Sequence, residues 1–398
     1  MNRPEEVDQD DLLHARLQLL ASGRKDPRDL LPAYRVLARA YPQSFLPRLA
    51  KALRSRSYDR EFETRPDIVL SLRAEAADAA RRIDPTEPRR AALLIDVLSS
   101  YQFALFQQGH RTEGKAVCEE MAAAGRLGHT LGQVKHPAYG HDRLAAVLAE
   151  EGRHGESAAL RAELASSGGD WQLIAWSAEL DAAGRPEEAL SVFARVVSDA
   201  RSKLTRNETS LAIAFWKLSH YARMLAAAGH PAQAAAARAE ALTLTAELAS
   251  TGERRSWSNI QAWWSTLYIL STRAEEPPAT PDAPQPPFGT EGNWSPDVRH
   301  TYLSAIPALT AELTEPRPLP TLIAAHRRLT ARSTLHCQTR THLIEAPLTP
   351  LFDAYVAAAT PSPPAHATAL TDRALFLVAA HQYATAHEDY RKATTLLT

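Results

Sequence analysis

Small and apolar residues recur along most of the chain at intervals of three and four, and each run ends at a glycine followed by a short polar turn. This spacing places the apolar residues on one face of an α-helix, and a glycine readily takes the left-handed conformation that ends a helix. The clearest copy spans Trp171 to Val197, with Gly184 at the turn and Pro186 opening the next helix. It predicts an antiparallel helical hairpin. The facing side chains are Leu173, Trp176, Ser177, Leu180, Ala189, Phe193 and Val196.

The same pattern recurs around Gly109, Gly152 and Gly229, and again near residue 381, where His381 replaces the glycine. Successive glycines are 43, 32 and 45 residues apart (109 to 152, 152 to 184, 184 to 229). These residues resemble tetratricopeptide (TPR) repeats, whose standard period is about 34 residues, in the extended-repeat bacterial form. The resemblance is strongest from 91 to 248. It implies an all-α fold, a right-handed α-solenoid of TPR-like helical hairpins.

Prolines and changes in helical register suggest how the chain is divided. We expect an N-terminal helical capping region at 1–90, the TPR-like solenoid at 91–275, a proline-rich linker at 276–296, and a C-terminal helical region at 297–398 that ends in a TPR-like hairpin. The helix before the linker is apolar on more than one side and needs covering. We expect residues 297–313 to cover it and continue the solenoid. Two domains on a flexible tether are the alternative.

In TPR arrays the first helix of each pair lines a concave face, so the resemblance implies a groove that binds a partner protein or peptide. The residues at the groove positions are Phe103, Phe106, Asp142, Trp171, Asp181, Trp216, Arg223 and Asn259. The lysine and asparagine with which some family members grip a carboxylate end are absent from the equivalent positions. Trp171 and Trp216 have a second interpretation, because large aromatic side chains also pack between neighbouring hairpins.

The formal net charge of −1 leaves no overall field to attract nucleic acid or an anionic membrane. A local exception is the basic patch of Arg48, Lys51, Arg54 and Arg56, which lies in a run that only Asp59 opposes nearby. This patch is either a solvated helix face, the commoner case, or a docking site for an acidic segment or for nucleic-acid phosphates. Nucleic acid is therefore not the expected partner.

Two cysteines, Cys118 and Cys337, are too few for a disulfide framework and favour a reducing compartment. The chain begins with an acidic stretch rather than a secretory signal, and no apolar run approaches the ~18 residues that a membrane span needs. We expect a cytoplasmic protein that does not contact membranes. Its oligomeric state is left open, a homodimer included.

Catalytic motifs are missing from the sequence. The stretch from Gly109 to Ala116 nearly spells a phosphate-binding loop, but Ala116 lacks the required hydroxyl and a helix precedes the loop where a strand is needed. The late histidines lack the spacing of a metal site, and no cofactor motif occurs. We expect a non-catalytic TPR scaffold or adaptor. A ligand- or peptide-gated regulatory sensor, or an accessory protein in a bacterial biosynthetic pathway, is the alternative, and an enzyme is less favoured.

Overall fold

Helices follow one another throughout the computed structural model, which describes residues 8–20, 26, 28–166, 169–255, 260–287, 294–337 and 344–397. The protein is all-α, and most helices pack as sequential antiparallel pairs. In chain order they are α1 (Gln9–Leu20), α2 (Leu31–Ala40), α3 (Pro42–Arg56), α4 (Pro66–Arg81), α5 (Arg90–Gln107), α6 (Arg111–Thr130), α7 (His141–Glu150), α8 (His154–Ala165), α9 (Asp170–Ala182), α10 (Pro186–Thr205), α11 (Leu211–Ala227), α12 (Pro231–Thr251), α13 (Ile260–Ser271), α14 (Pro296–Ser304), α15 (Ile306–Glu312), α16 (Leu319–Cys337), α17 (Glu345–Ala359), α18 (Pro363–Ala379) and α19 (Tyr383–Leu396). Short 3-10 turns lie at Arg60–Phe62 and Arg273–Glu275.

The turns inside the hairpins share one hydrogen-bonded closure. At Gly184, φ is 74°, and the next residue, Arg185, donates its backbone N–H to the carbonyl of Leu180 at 2.9 Å. The same closure occurs at the other glycines singled out in the sequence and at His381, where φ is 60°. This bond satisfies a carbonyl that the helix end would leave open. The repeated turn predicted from the sequence is therefore present, including the copy in which histidine replaces glycine.

Small residues let the paired helices approach each other. Ser177 on α9 donates its hydroxyl to the carbonyl of Ala189 on α10 at 2.8 Å, and Ala189 is fully buried beside Phe193. Similar pairs are formed by α5 with α6, α11 with α12, and α18 with α19. Each pair also packs against a neighbouring helix, as α8 does on α9 and α10 on α11.

The chain divides into two compact units. The first comprises Met1–Val147 and Ser295–Asp297, and its core is made by alanines and leucines of α2 to α6. The second comprises Leu148–Trp294 and Val298–Thr398. Its core is richer in aromatic side chains, and the largest fully buried ones are Phe193, Phe215, Trp216, Tyr268, Phe352, Tyr355, Phe376 and Tyr390.

The apolar helix α13 is covered inside the second unit, but mainly by helices other than the one expected. The helices that pack along it are α11, α16 and α18. The segment expected to cover it is instead split into α14 and α15 by a turn at Ala305, and α15 packs on α16. From α14, Tyr302 reaches α13 only near Ile269. The prediction that 297–313 forms the covering helix is therefore wrong, because this segment breaks into two short helices and α16 and α18 pack along α13 instead.

The last hairpin, α18 with α19, packs directly on α11 and α12. Trp216 donates its indole N–H to the carbonyl of Leu375 at 3.1 Å. The rings of Phe215 and Tyr390 meet edge to face with centroids 5.0 Å apart. The spatial neighbour of α11 and α12 is thus a hairpin from much later in the chain. Among the helices of the described ranges, none is long and apolar enough to cross a membrane.

A candidate binding groove between α9, α11 and α13

Three elements of the second unit enclose a cavity of about 390 Å³. Two of them, α9 and α11, are the first helices of successive hairpins, and the third is the end of α13 with the 3-10 turn that follows. Residues three and four apart on each helix share a face, which is why one stripe of each helix lines the cavity. The lining residues are Ser177, Ala178, Asp181, Ala182, His220, Arg223, Met224, Ala227, Leu270, Ser271, Arg273 and Ala274.

Arg223 forms the α11 side of this groove and is held by a buried acid. Its guanidinium pairs with the carboxylate of Asp372, a residue of α18 that is 0 % exposed. The second oxygen of Asp372 accepts a hydrogen bond from Nε of Arg327 at 3.2 Å. About a quarter of the Arg223 side chain stays exposed (24 %), so the ion pair fixes the cation but leaves part of it open to a ligand.

Arg273 forms the opposite wall and is held by a second buried acid, Glu179. The guanidinium lies 3.3 Å from one carboxylate oxygen, and Nδ1 of His154 lies 2.9 Å from the other. Burial raises the pKa of Glu179, but the charge of Arg273 and the hydrogen bond with His154 outweigh it and lower the pKa overall. Glu179 therefore stays ionised and neutralises Arg273.

Between the two arginines lie an acid and a neutral imidazole. Asp181 is exposed at the rim, where desolvation raises its pKa and Arg273 acts in the opposite direction. His220 is buried, and burial together with the charge of Arg223 lowers its pKa to about 3. Its ring is uncharged at ordinary pH, and Nδ1 has no hydrogen-bond partner among the described residues. The groove thus combines neutralised arginines, one acid and apolar side chains.

Only two of the groove residues predicted from the sequence, Asp181 and Arg223, line this cavity. Trp216 and Phe106 are each 1 % exposed, so placing them in a groove was wrong. Trp216 packs against α18, where its indole N–H reaches the carbonyl of Leu375, and this matches the alternative of packing between hairpins. Phe106 packs on Cys118 and Val147, where the absence of a side chain on Gly114 makes room for its ring.

The remaining groove positions lie elsewhere. Trp171 is half-buried and stacks on Trp263 with ring centroids 3.9 Å apart, which matches the alternative of packing between helices. In the first unit, Phe103 is 42 % exposed and Asp142 is also exposed. Asn259 lies outside the described residues.

The basic patch has more counter-charges than the sequence suggested. Arg56 pairs with Asp59 at 2.6 Å and also with Glu61. The expectation that Asp59 alone opposes this run was therefore wrong, because Glu61, in the 3-10 turn that follows α3, folds back to Arg56. Arg48 stacks over the ring of Phe45 at 5.1 Å, while Lys51 is exposed and Arg54 is half-buried. Both of these counter-charges belong to Arg56, the last residue of α3.

Sequence reasoning missed four residues that shape the groove, namely Glu179, His220, Arg273 and Asp372. Asp372 carried a detectable signal, because it interrupts the apolar helix α18 on its buried face and a buried carboxylate needs a cationic partner. His220 lies one turn before Arg223 and could have been assigned to the same face. The roles of Glu179 and Arg273 depend on contacts between distant segments.

Within the described ranges, no group of three or more histidine, cysteine, aspartate or glutamate residues could hold a metal ion. No protein family matches the chain, and no curated protein sequence is similar to it. The function therefore has to be inferred from the groove itself.

Proposed function

We propose that this protein is a non-catalytic, TPR-like scaffold that binds a peptide segment of a partner protein between α9, α11 and the end of α13. The observation that carries the proposal is the position of Asp181 and Arg223. The repeat pattern nominated both as groove residues, and both line one open cavity built by the first helices of successive hairpins. The proposal includes a right-handed α-solenoid arrangement of the hairpins and a cytoplasmic location.

The lining favours a peptide over a small charged metabolite. Ala178, Met224 and Leu270 provide apolar surface, while Arg223 and Arg273 offer guanidinium groups whose charges buried acids already balance. Hydrogen-bond donors without net positive charge suit backbone carbonyls and neutral side chains. An apolar side chain of the partner would fill the space between the two helices, as in other peptide-binding helical grooves.

Catalysis is disfavoured by the states of two groove residues, Ser177 and His220. A nucleophilic hydroxyl needs an adjacent base that orients it. The hydroxyl of Ser177 donates to the carbonyl of Ala189 instead, and His220 carries a pKa far below that of a general base near neutral pH. The proposal therefore includes no cofactor.

Photo-crosslinking tests this proposal. A photoreactive phenylalanine derivative replaces Ala227, an exposed groove residue, or Ala236, an exposed residue of α12 that does not line the groove. After irradiation in a lysate of the source cells, we expect a polypeptide adduct at Ala227 that is absent at Ala236. Asp181→Lys in the same protein should reduce the adduct, because it places a third cation at the groove. Equal adducts at both positions, or none at Ala227, would contradict the proposal.

A further inference from the structure

A second cavity of the second unit lies against a neighbouring face of α11, and its volume is about 190 Å³. Its walls come from two hairpins, α11 with α12 and α18 with α19. Two arginines line it, Arg223 and Arg238, together with five hydroxyl-bearing and three apolar side chains. Among the residues that the structure describes, none that lines it is acidic. The cavity is therefore cationic and rich in hydrogen-bonding groups.

Arg238 brings a positive charge that no neighbour balances. It lines the cavity from α12, is half-buried, and forms no ion pair within the described ranges. The charge of Arg223 is balanced by Asp372, which is fully buried and does not line the cavity. Partial burial weakens the hydration of the Arg238 guanidinium, and a second arginine in the same cavity adds like-charge repulsion. A bound anion would relieve both costs.

Both arginines lie near one buried tyrosine, Tyr390 of α19. Burial raises the pKa of its hydroxyl, while the hydrogen bond from Ser219 and the charges of Arg223 and Arg238 act in the opposite direction. The two guanidinium groups therefore lie close enough to the same phenol to influence it. Because the cavity between them is small, a single ligand can contact both.

Two threonines of α18 add polar groups to the opposite wall. Thr368 donates its hydroxyl to the carbonyl of Pro364 at 3.0 Å, and Thr371 donates to that of Ala367 at 2.8 Å. Both carbonyls lie inside α18, where the helix ladder supplies each with a backbone N–H as well. A hydroxyl proton rotates freely about its C–O bond. Either hydroxyl can thus turn towards a ligand without leaving a carbonyl unpaired.

We propose that the cavity between these two hairpins binds an oxyanion of the size of phosphate, with Arg238 supplying the unbalanced charge and Arg223 further donors. Guanidinium groups match phosphate oxygens in charge and geometry. Donors on α11, α12 and α18 suit the several oxygens of phosphate better than the two of a carboxylate. Cavities of about 150 Å³ hold benzene, which is larger than phosphate.

The ligand is either free phosphate or the phosphoryl group of a small phosphomonoester. This site is separate from the groove between α9, α11 and α13 and does not depend on the function proposed for it, although Arg223 lines both cavities.

Isothermal titration calorimetry of the full chain tests the site, with inorganic phosphate, glycerol 3-phosphate and acetate as probes at constant ionic strength. We expect phosphate to bind saturably at one per chain and acetate to bind about tenfold more weakly, the equivalent of one charged hydrogen bond. Glycerol 3-phosphate separates the two sources. Affinity at least equal to that of phosphate indicates a phosphomonoester, and weaker binding indicates free phosphate.

Arg238→Gln should weaken phosphate binding about tenfold to hundredfold, because it removes charged hydrogen bonds and the unbalanced charge. Arg195→Gln is the matched control. Arg195 is an exposed residue of α10 that forms no ion pair within the described ranges and does not line the cavity. It should bind phosphate as the parent does, although the net charge of the chain changes equally.

Ala226 supplies a second pair of variants, because it lines the cavity and is exposed. Ala226→Glu places a carboxylate beside the arginines and should abolish phosphate binding, whereas Ala226→Gln, of the same shape, should retain it. Both should keep the parent's thermal midpoint, so this arm stands even if Arg238→Gln does not fold. Three results would each overturn the proposal: no saturable binding of phosphate, acetate binding as tightly as phosphate, or equal phosphate affinities within either pair of variants.

Discussion

Asp372 links the groove to the core of the second unit. It is fully buried, and the arginines that contact it come from two other helices, Arg223 from α11 and Arg327 from α16. Arg327 is in addition bonded to Glu275 and to the carbonyl of Ser271 at 2.9 Å. The position of Arg223 in the groove therefore depends on a carboxylate that no ligand touches.

Asp372→Asn tests this dependence, with Asp353→Asn as the matched control. Removing the buried charge leaves Arg223 and Arg327 poorly compensated, and breaking a buried pair in this way costs about 3–5 kcal/mol. Asp353 pairs with Arg373 at 2.9 Å but is 55 % exposed, so its loss should cost below about 1 kcal/mol. Urea unfolding measures both free energies. Similar losses in the two variants would show that the buried pair adds no special stability.

At the residue scale, the sequence predicted positions on a helix better than partners across the fold. Asp181 and Arg223 were nominated through the resemblance to TPR repeats, which assigns each position of the first helix to a face by its helical spacing. The burial of Trp216 was only one of two interpretations left open, because the helix that covers it contributes Leu375, 159 residues away. A local pattern contains no information on which distant helix will cover a given face.

At the scale of elements, residues 276–287, which we call the proline strap, form the first part of the proline-rich linker expected for residues 276–296. The part up to residue 287 is anchored to the turn between α7 and α8, where the carbonyl of Ala279 leaves no room for a side chain on Gly152. The repeated glycine turns were predicted correctly because each closes within a few residues. The anchoring of the strap was not, since it joins segments more than a hundred residues apart.

Gly152→Ala should displace the strap, and Gly184→Ala is its control. Both glycines have similar positive φ, 77° and 74°, so both alanines meet the same left-handed cost of about 1–2 kcal/mol. Only at Gly152 would the new Cβ collide with the Ala279 carbonyl, whereas nothing lies within 4 Å at Gly184. We expect a larger drop in the free energy of unfolding for Gly152→Ala, measured in urea. Equal drops would mean that the strap moves aside without resistance.

At the scale of the whole molecule, helices on both sides of the strap build one core in the second unit. Trp264 and Tyr268 of α13 lie within this core together with Phe352 of α17 and Phe376 of α18. The all-α class could be predicted from periodicity alone. The apolar faces of α13 also predicted cover from the C-terminal region, but not that α16 and α18 provide it, because the choice of helix depends on complementary surfaces rather than on spacing.

Truncation before Glu276 should therefore leave a protein that aggregates. It uncovers Trp216, Trp264 and Tyr268, and each large side chain contributes about 1.5–3 kcal/mol when buried. Exposed apolar surface of this size promotes association. Size-exclusion chromatography with light scattering measures the state of the truncated chain against the full chain. A soluble monomer with the parent's thermal midpoint would favour the flexible-tether alternative.

The contact between Trp216 and Leu375 also has a consequence for protein synthesis. Because 159 residues separate the two, ribosomes that add about 5–20 residues per second need roughly 8–30 s to make Leu375 after Trp216. During that interval α11 and α12 can pair with each other, but their other face has no cover. The local hairpins can thus fold while the chain is being made, whereas the second unit closes only when translation reaches α18 and α19.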